Sequence, residues 1–334
     1  MSVGQESSKR RAWVMWSVML CVSAAIGLLG LGAGSTGWDA PWAPDPQGTL
    51  ARIVWEIRAP RTVGAWLVGA LLGLAGAVAQ GLFRNPLAEP YLLGSAAGAA
   101  LCMAVVLTLG LPWLSGQGWW SQAGLTGAAF IGAVGGVLLT LVMSRGAAHT
   151  LRLLLAGVVV GVVLGALTQL LMVWSAEAWR VMQAFMLGST ALLGWQACLL
   201  MGMALAVAWP VAQALATVLD ALSLGEDTAR TLGIPLGLTR AILVAVLALA
   251  TAAAVAQAGL IAFVGLVAPH LVRPWAGARH AHLLMAATAM GGALMMVADV
   301  LSRWLIAPQE LPVGVLTAVL GGVYLLVLLH RQRA

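Results

Sequence analysis

The run Ala241–Val272, AILVAVLALATAAAVAQAGLIAFVGLVAPHLV, contains 32 consecutive residues without a formal charge. A helix that crosses a bilayer needs about 20 mostly apolar residues, so this run is too long for one span and short for two. Gln257-Ala258-Gly259 in its interior and the pair Pro269-His270 are typical of helix interruptions. The run therefore predicts a full membrane helix, a break, and a second, shortened helix.

The rest of the chain has the same apolar character. Hydrophobic residues make up 61% of the 334 residues and charged residues only 8%, against roughly 25% in soluble domains. Membrane β-barrels show short alternating segments of about 10 residues, whereas the apolar runs here are continuous. The sequence therefore predicts an all-α, polytopic membrane protein that forms a single transmembrane domain over residues 1–334.

Eight further apolar runs are predicted to cross the membrane, which brings the total to about ten spans. They are Ala12–Leu31, Thr62–Phe83, Tyr91–Leu111, Gln122–Met143, Leu153–Trp174, Ala191–Thr217, Leu283–Ala298 and Leu311–Leu329. An even number is favoured because it places both termini in the cytoplasm, together with twelve of the 17 basic residues. The basic residues are scattered singly between apolar runs, so they indicate topology signals rather than a nucleic-acid surface.

One extended polar segment interrupts the apolar sequence, Leu219–Arg240, which reads LDALSLGEDTARTLGIPLGLTR. Ionisable groups inside a bilayer are costly, so this segment is predicted to lie outside the hydrocarbon, on the cytoplasmic side in a ten-span topology. Lys9 is the only lysine in the chain, which excludes a phosphate-binding loop of the form GxxxxGK(S/T). If ATP drives this protein, a separate subunit binds and hydrolyses it.

Three glycines recur at every fourth residue of one predicted helix, at Gly157, Gly161 and Gly165. A bare helix face of this kind is typical of close helix packing, and it also suits a pathway with room for a bulky solute. From the residues alone, both interpretations stay open.

Three arginines lie at the predicted ends of spans on the outer side of the membrane: Arg58, Arg61 and Arg303. Arginines there act either as interfacial anchors or as bidentate partners for acidic groups of another protein. Asp299 is the acid nearest the interior of a span, and a pairing with Arg303 at i+4 is favoured over a role in proton coupling. The second role leaves an ion-coupled secondary transporter of a bulky solute as the alternative function. The sequence contains no motif typical of a catalytic or metal site, so an enzyme is not expected.

The chain contains a weak internal sequence similarity between Ala77–Gly81, AVAQG, and Ala254–Ala258, AVAQA. Each copy leads into a segment that contains proline. In a ten-span topology the two copies cross in opposite directions, as in the inverted repeats of transporters. Chance similarity in Ala- and Val-rich sequence accounts for these residues equally well.

Several segments together resemble the FecCD/BtuC-like family, the transmembrane permease subunits of type II ABC importers for iron-siderophore complexes, haem and cobalamin. They follow the family's order over nearly the whole chain: IRAPRTVGAWLVGALLGLAGAVAQGLFRNPLAEPYLLG (57–94), LRLLLAGVVVGVV (151–163), LGEDTARTLGIPL (224–236), IAFVGLVAPHLVR (261–273), ADVLSR (298–303) and PQELPVGVLTAVLGGVYLLVLL (308–329). The chain departs from the family at SAAGAAL (95–101), where VSSGAAL is common, and at Gly259-Leu260, where Gly-Pro is usual. Both departures lie near the expected pathway.

The resemblance implies a BtuC-like permease fold with an inverted repeat, and two copies around a solute pathway on the dimer axis. The pathway and dimer interface would then carry Gly157, Gly161 and Gly165. Coupling to the ATPase would fall on a short helix bounded by two glycines and on its flanks, at Leu224, Gly225, Glu226, Asp227, Arg230 and Gly233. The outward arginines that receive glutamates of the binding protein correspond to Arg58 and Arg303.

The resemblance further implies a function and a set of partners. The chain is expected to be an inner-membrane permease subunit that moves an iron chelate (siderophore or haem) or cobalamin, with ATP and Mg used by the partner subunit and no cofactor bound by this chain. Its expected partners are a second copy of the permease, cytoplasmic ATP-binding subunits, a periplasmic or lipid-anchored substrate-binding protein, and membrane lipid.

Overall fold

The computed structural model describes residues 3–34, 37–38, 48–109, 119–147, 149–173 and 176–331. Leu111 and Trp174, the predicted ends of two spans, lie outside these ranges. The same holds for the last three residues of the C-terminal tail, which the topology argument places in the cytoplasm.

Helices make up most of the described chain. Helix α1 is Val3–Gly32, and two short antiparallel strands follow it, β1 (Ala33–Gly34) and β2 (Gly37–Trp38). One long helical rod then comprises α2 (Thr49–Ile53), a π-helical turn (Val54–Arg58) and α3 (Ala59–Phe83). The remaining elements are a 3-10 turn (Pro90–Leu93), α4 (Ser95–Leu109), α5 (Trp119–Met143), α6 (Thr150–Met172), α7 (Ala176–Leu187), α8 (Trp195–Ala214), α9 (Ala216–Ser223), α10 (Glu226–Thr231), α11 (Leu236–Ala258), α12 (Val264–Ala276), α13 (His280–Trp304) and α14 (Val313–Arg331).

The predicted helical membrane architecture is confirmed. In the described part of the chain, six helices are long and apolar enough to cross a membrane: Thr49–Phe83, Ala123–Met143, Thr150–Met172, Trp195–Ala214, Leu236–Ala258 and His280–Trp304. Shorter apolar helices at Ser17–Gly32, Ser95–Leu109 and Val313–Leu328 coincide with three more predicted spans. The exact total of ten spans and the inverted repeat stay predictions.

The break predicted within Ala241–Val272 is present at Gly259, but the pair Pro269-His270 does not interrupt the chain, because it lies inside α12. Helix α11 ends at Ala258, and α12 does not begin until Val264. Gly259 makes this interruption possible with φ 72° and ψ −158°, a conformation that only glycine adopts readily. Helix α12 then has 13 residues, which span only about 20 Å.

Helix α4 is also shorter than its predicted span. The apolar run predicts a helix from Tyr91, but the chain first forms the 3-10 turn, and Gly94 closes that turn at φ 79°. The α-helix therefore starts at Ser95 and has 15 residues.

The irregular segments that precede α4 and α12 pack against each other. The Tyr91 hydroxyl donates a hydrogen bond to the Ile261 carbonyl oxygen at 3.1 Å, and the Phe263 N–H donates to the Glu89 carboxylate at 3.2 Å. Within a membrane, irregular backbone is tolerated only where protein covers it. Each of these segments provides that cover for the other.

Two differences from the predicted elements concern α7 and α8. Helix α7 was not predicted, because its 12 residues are fewer than a span requires and include Glu177 and Arg180. Helix α8 is Trp195–Ala214 rather than Ala191–Thr217, since the residues before it are irregular and α9 starts separately at Ala216.

The centre of the fold is α3, which is surrounded on all sides. Of its 25 residues, only Val63 and Trp66 are not buried. Gly69 and Gly73 bring its backbone against α13, where a side chain on Gly69 would collide with the Gly291 carbonyl oxygen. Membrane helices gain little hydrophobic energy from associating, so this close backbone approach contributes much of the packing energy.

Helices α3 and α13 are antiparallel, and their ends define the two ends of the protein. At one end, Arg61 of α3 meets Asp299 of α13. At the other end, Gly81 of α3 lies against the ring of His280. Since α3 is about 37 Å long, the polar groups at its two ends lie roughly one membrane thickness apart.

Replacing Gly291 by valine should destabilise the protein, because the new methyl groups would force α3 and α13 apart. Overpacking of this kind costs about 1–3 kcal/mol, and a clash with backbone reaches the upper part of that range. Gly202→Val in α8 is the matched control, since a side chain at Gly202 meets no atom within 4 Å. Thermal midpoints of the two detergent-purified variants test this, and equal midpoints would contradict the packing argument.

Candidate docking and coupling sites at the two ends of the protein

A buried polar cluster surrounds Asp299 at the end of α13. Its Oδ1 accepts hydrogen bonds from Arg61 Nε at 2.9 Å and from the Thr190 hydroxyl at 2.6 Å. Its Oδ2 forms an ion pair with Arg303 Nη2. The predicted i+4 pairing of Asp299 with Arg303 is therefore confirmed, and Arg61 adds a second guanidinium that the local sequence does not indicate.

Arg61 also binds a second carboxylate, that of Glu310 in the loop after α13. Its Nη1 donates to both Glu310 oxygens, at 3.0 and 2.8 Å. The Glu310 side chain is 29% exposed, whereas Arg61 and Asp299 are almost completely enclosed. Glu310 is thus the member of the cluster that solvent or a partner reaches first.

The structure places Arg58 and Arg303, the predicted docking residues, inside the protein. Arg58 is 6% exposed and donates to the carbonyl oxygens of Leu31 and Gly32 at the end of α1, at 3.3 and 3.1 Å. Arg303 is 1% exposed and donates to the carbonyl oxygens of Gly30 and Ala33, at 2.9 and 3.2 Å. Their docking role stays a prediction, and it requires that the end of α1 release these groups.

The Asp299 cluster should matter more for stability than an exposed ion pair at the same end of the protein. Asp299→Asn leaves two buried guanidinium groups facing a neutral amide, and breaking such a buried pair costs about 3–5 kcal/mol. Glu56→Gln breaks the exposed pair with Arg52, which is worth at most about 1 kcal/mol. Comparing the thermal midpoints of the two variants tests this order, and a reversal would show that the cluster is not stabilising.

At the opposite end, the polar segment forms two short helices, α9 and α10. The predicted helix bounded by Gly225 and Gly233 is present as α10, Glu226–Thr231. Gly225 has φ 115° and Gly233 has φ 75°, backbone angles that favour glycine. The turns at the two ends of α10 therefore require glycine. Arg240 differs from the prediction, because it lies in the second turn of α11 and is 1% exposed rather than part of the exposed loop.

One side of this polar segment is buried and the other faces outward. Leu219, Leu222 and Ala229 pack into the core. Leu224, Leu232, Asp227 and Arg230 are exposed, and the Asp227 side chain is 96% accessible. Exposed leucines beside charged groups, away from the membrane-spanning helices, are typical of a protein-binding surface.

Glu226 differs from the other candidate coupling residues because it points inward. Its Oε1 forms an ion pair with Arg240 Nη2 at 2.7 Å and accepts a hydrogen bond from the Thr150 hydroxyl at 3.1 Å. Arg84 and Arg230 lie at 3.7 and 3.8 Å. Burial favours the neutral acid, but the hydrogen bond and charge of Arg240, supported by Thr150 and Arg84, lower the Glu226 pKa below its usual range.

The three glycines of α6 have different surroundings. Gly157 packs directly on the backbone of Leu92, as expected for close helix packing. A side chain on Gly161 or Gly165 would meet no described atom within 4 Å. Close packing therefore explains the first glycine, and the other two border open space, as the pathway interpretation requires.

An apolar cavity of about 280 Å³ lies near this open side of α6. Residues of α6 and α7 line it, namely Thr168, Gln169, Met172, Trp179, Met182, Gln183, Met186 and Leu187. Three methionines and a tryptophan give it a flexible, mostly apolar wall.

The sequence profile of the FecCD transport family matches residues 15–331. This chain belongs to the FecCD transport family. It is 37% identical over 322 residues to the hemin transport system permease protein HmuU of Yersinia pestis, covering 95% of this chain and 94% of that protein. It is 38% identical over 333 residues to the vitamin B12 import system permease protein BtuC of Escherichia coli O17:K52:H18, covering 97% and 98%.

Solved structures agree with the family assignment. A metal-chelate type ABC transporter in an inward-facing conformation superposes with a TM-score of 0.85 at 28% identity, covering 95% of this chain and 98% of that one. PsaBC from Streptococcus pneumoniae in complex with Fab gives a TM-score of 0.54 at 19% identity, covering 78% and 89%, and shows a shared fold only. The chain is a multi-pass membrane permease of the ABC importer type, a transport component rather than an enzyme.

Proposed function

We propose that this FecCD-family chain is the permease subunit of an ATP-driven importer that carries a metal chelate, namely haem, cobalamin or a ferric siderophore, across the inner membrane. The observation that carries this proposal is the outward face of the polar segment. Four of its residues are exposed between α8 and α11, namely Leu224, Asp227, Arg230 and Leu232. Such an exposed face suits the cleft of a soluble subunit that binds ATP and Mg.

The rest of the assembly follows from the two ends of the fold. A second copy of the permease would cover the exposed apolar faces of α6 and α14 and complete a pathway beside Gly161 and Gly165. A periplasmic or lipid-anchored binding protein would dock at the opposite end, exchanging its own carboxylates for the internal partners of Arg58 and Arg303. Both termini of the chain would lie in the cytoplasm.

The alternative of an ion-coupled secondary transporter rests on Asp299. Two guanidinium groups and the Thr190 hydroxyl already surround this carboxylate. The carboxylate is completely buried, so all of these contacts lie within the protein. The position of Asp299 at one end of α13, next to Arg61 of α3, is that of a structural ion pair rather than of a carrier within the bilayer.

Exchanging the charges of Asp227 and Arg230 tests the proposed ATPase contact. The double variant Asp227→Arg/Arg230→Asp keeps the ion pair within α10 and reverses the charges that a partner meets. The affinity of the permease for the ATP-binding subunits should fall about tenfold or more, as for reversed charges at other protein interfaces, and ATP-driven uptake should fall with it. Binding-protein docking should be unchanged. Wild-type uptake by the double variant in proteoliposomes containing the ATP-binding subunits would contradict the contact.

The identity of the solute is tested by uptake in the same proteoliposomes, with the binding protein added. Radiolabelled haemin, cobalamin and a ferric siderophore are supplied in turn, each with and without ATP. We expect ATP-dependent accumulation of one of the three metal chelates. Equal accumulation without ATP, abolished by a protonophore, would instead support the secondary transporter.

A further inference from the structure

We propose that Glu226 is a positioning residue that connects the polar segment to helices α6 and α11, so that movement of the segment displaces the cytoplasmic end of α6. This inference rests on the proposed function, since it assumes that an ATP-binding subunit moves the segment. It gives Glu226 a different role from its neighbours Asp227 and Arg230, which the sequence places in the same group.

The first argument is the number of separate elements that meet at one carboxylate. Thr150 is the first residue of α6, Arg84 caps the end of α3, and Arg240 belongs to α11. All three lie within 3.7 Å of Glu226 Oε1, at 3.1, 3.7 and 2.7 Å. A single side chain of α10 therefore contacts three other helices at their ends.

The second argument is burial. Arg240 is 1% exposed, and the Glu226 side chain is 22% exposed. A guanidinium in that position depends on a nearby carboxylate, because an uncompensated buried charge is costly. The pairing with Arg240 therefore keeps the Glu226 side chain turned toward the protein interior. Asp227 on the same helix is instead 96% exposed and pairs with Arg230 one turn away.

The third argument is that α10 needs such a connection. It has only six residues, and a helix of that length has no stability of its own in water. Ala229 is its only buried residue. Without Glu226, a push on the exposed face of α10 would deform the helix instead of moving its neighbours.

The contact with Thr150 determines which helix receives the movement of Glu226. Thr150 lies at the N-terminus of α6, where a carboxylate interacts favourably with the helix dipole. Helix α6 carries Gly161 and Gly165, the two glycines that border open space. Displacement of Glu226 is thereby passed to the helix whose open face suits the pathway.

Four single variants of the permease, assembled with the ATP-binding subunits and the binding protein in proteoliposomes, test the proposal. Glu226→Gln removes the carboxylate, and Thr150→Val removes only the contact with α6. Thr150→Ser keeps the hydroxyl. Arg279→Gln is the control, because it changes an exposed charge at the same end of the protein, at the start of α13 rather than on α10. The readouts are uptake per ATP hydrolysed and the affinity of the permease for the ATP-binding subunits.

We expect Glu226→Gln and Thr150→Val to lower uptake per ATP roughly two- to thirtyfold, the range seen when residues that couple two sites are changed. Subunit affinity should stay at the wild-type value in both. Thr150→Ser and Arg279→Gln should behave as wild type in both readouts. Thr150→Val also keeps the test decisive if Glu226→Gln folds poorly, since it leaves the ion pair with Arg240 intact.

Two results would overturn the proposal while leaving the proposed function standing. One is normal coupling in both Glu226→Gln and Thr150→Val. The other is a loss of subunit affinity in Glu226→Gln as large as that of the double variant Asp227→Arg/Arg230→Asp, because Glu226 would then be an intermolecular contact. Absence of ATP-dependent uptake in the wild type would instead overturn the proposed function itself.

Discussion

Close contact between the backbones of α3 and α13 is the constraint on which the rest of the structure depends. In a bilayer there is little hydrophobic gain from bringing two helices together, so their association relies on dense packing and on satisfied polar groups. Gly69, Gly73 and Gly291 permit that density. Once the two helices are fixed, their ends bring Arg61 to Asp299 on one side and Gly81 to His280 on the other. The two candidate sites are therefore separated by the length of one rigid helix pair.

The two sites handle their charges in different ways. At the Asp299 end, the two carboxylates of the cluster face Arg61 and Arg303, and every member except Glu310 is almost completely buried. At the Glu226 end, basic groups outnumber carboxylates, and the outward side of α10 is open to solvent. The buried ion pairs of the Asp299 cluster stay intact unless a partner protein provides other carboxylates for the arginines. The Glu226 end leaves charged and apolar groups available to a partner.

Local signals in the sequence predicted local features correctly. The break after Ala258 follows from the length of an uncharged run and a glycine, and the i+4 pair of Asp299 and Arg303 follows from helix periodicity. The limits of α10 coincide with Gly225 and Gly233, as the family resemblance implies. Resemblance to a family supplied the fold class, because a set of ordered motifs carries information that composition alone does not.

The contacts that sequence reasoning missed are those between distant parts of the chain. Arg61 and Asp299 are 238 residues apart, and Thr150 and Glu226 are 76 apart. No periodicity links such positions, so only the packing of helices brings them together. For the same reason, Glu226 could not be distinguished from Asp227, its neighbour in sequence.

The contrast between α3, which is enclosed on all sides, and α6, which is buried on one face only, has a mechanical consequence. A helix that is packed on all sides is held in place, whereas a helix that is packed along one face only is free to tilt about its fixed end. With 23 residues, α6 is about 35 Å long, so a small tilt imposed at its first turn is amplified at its far end. An angular change of only about 5° would move that far end by roughly 3 Å, which is comparable to the width of a water molecule.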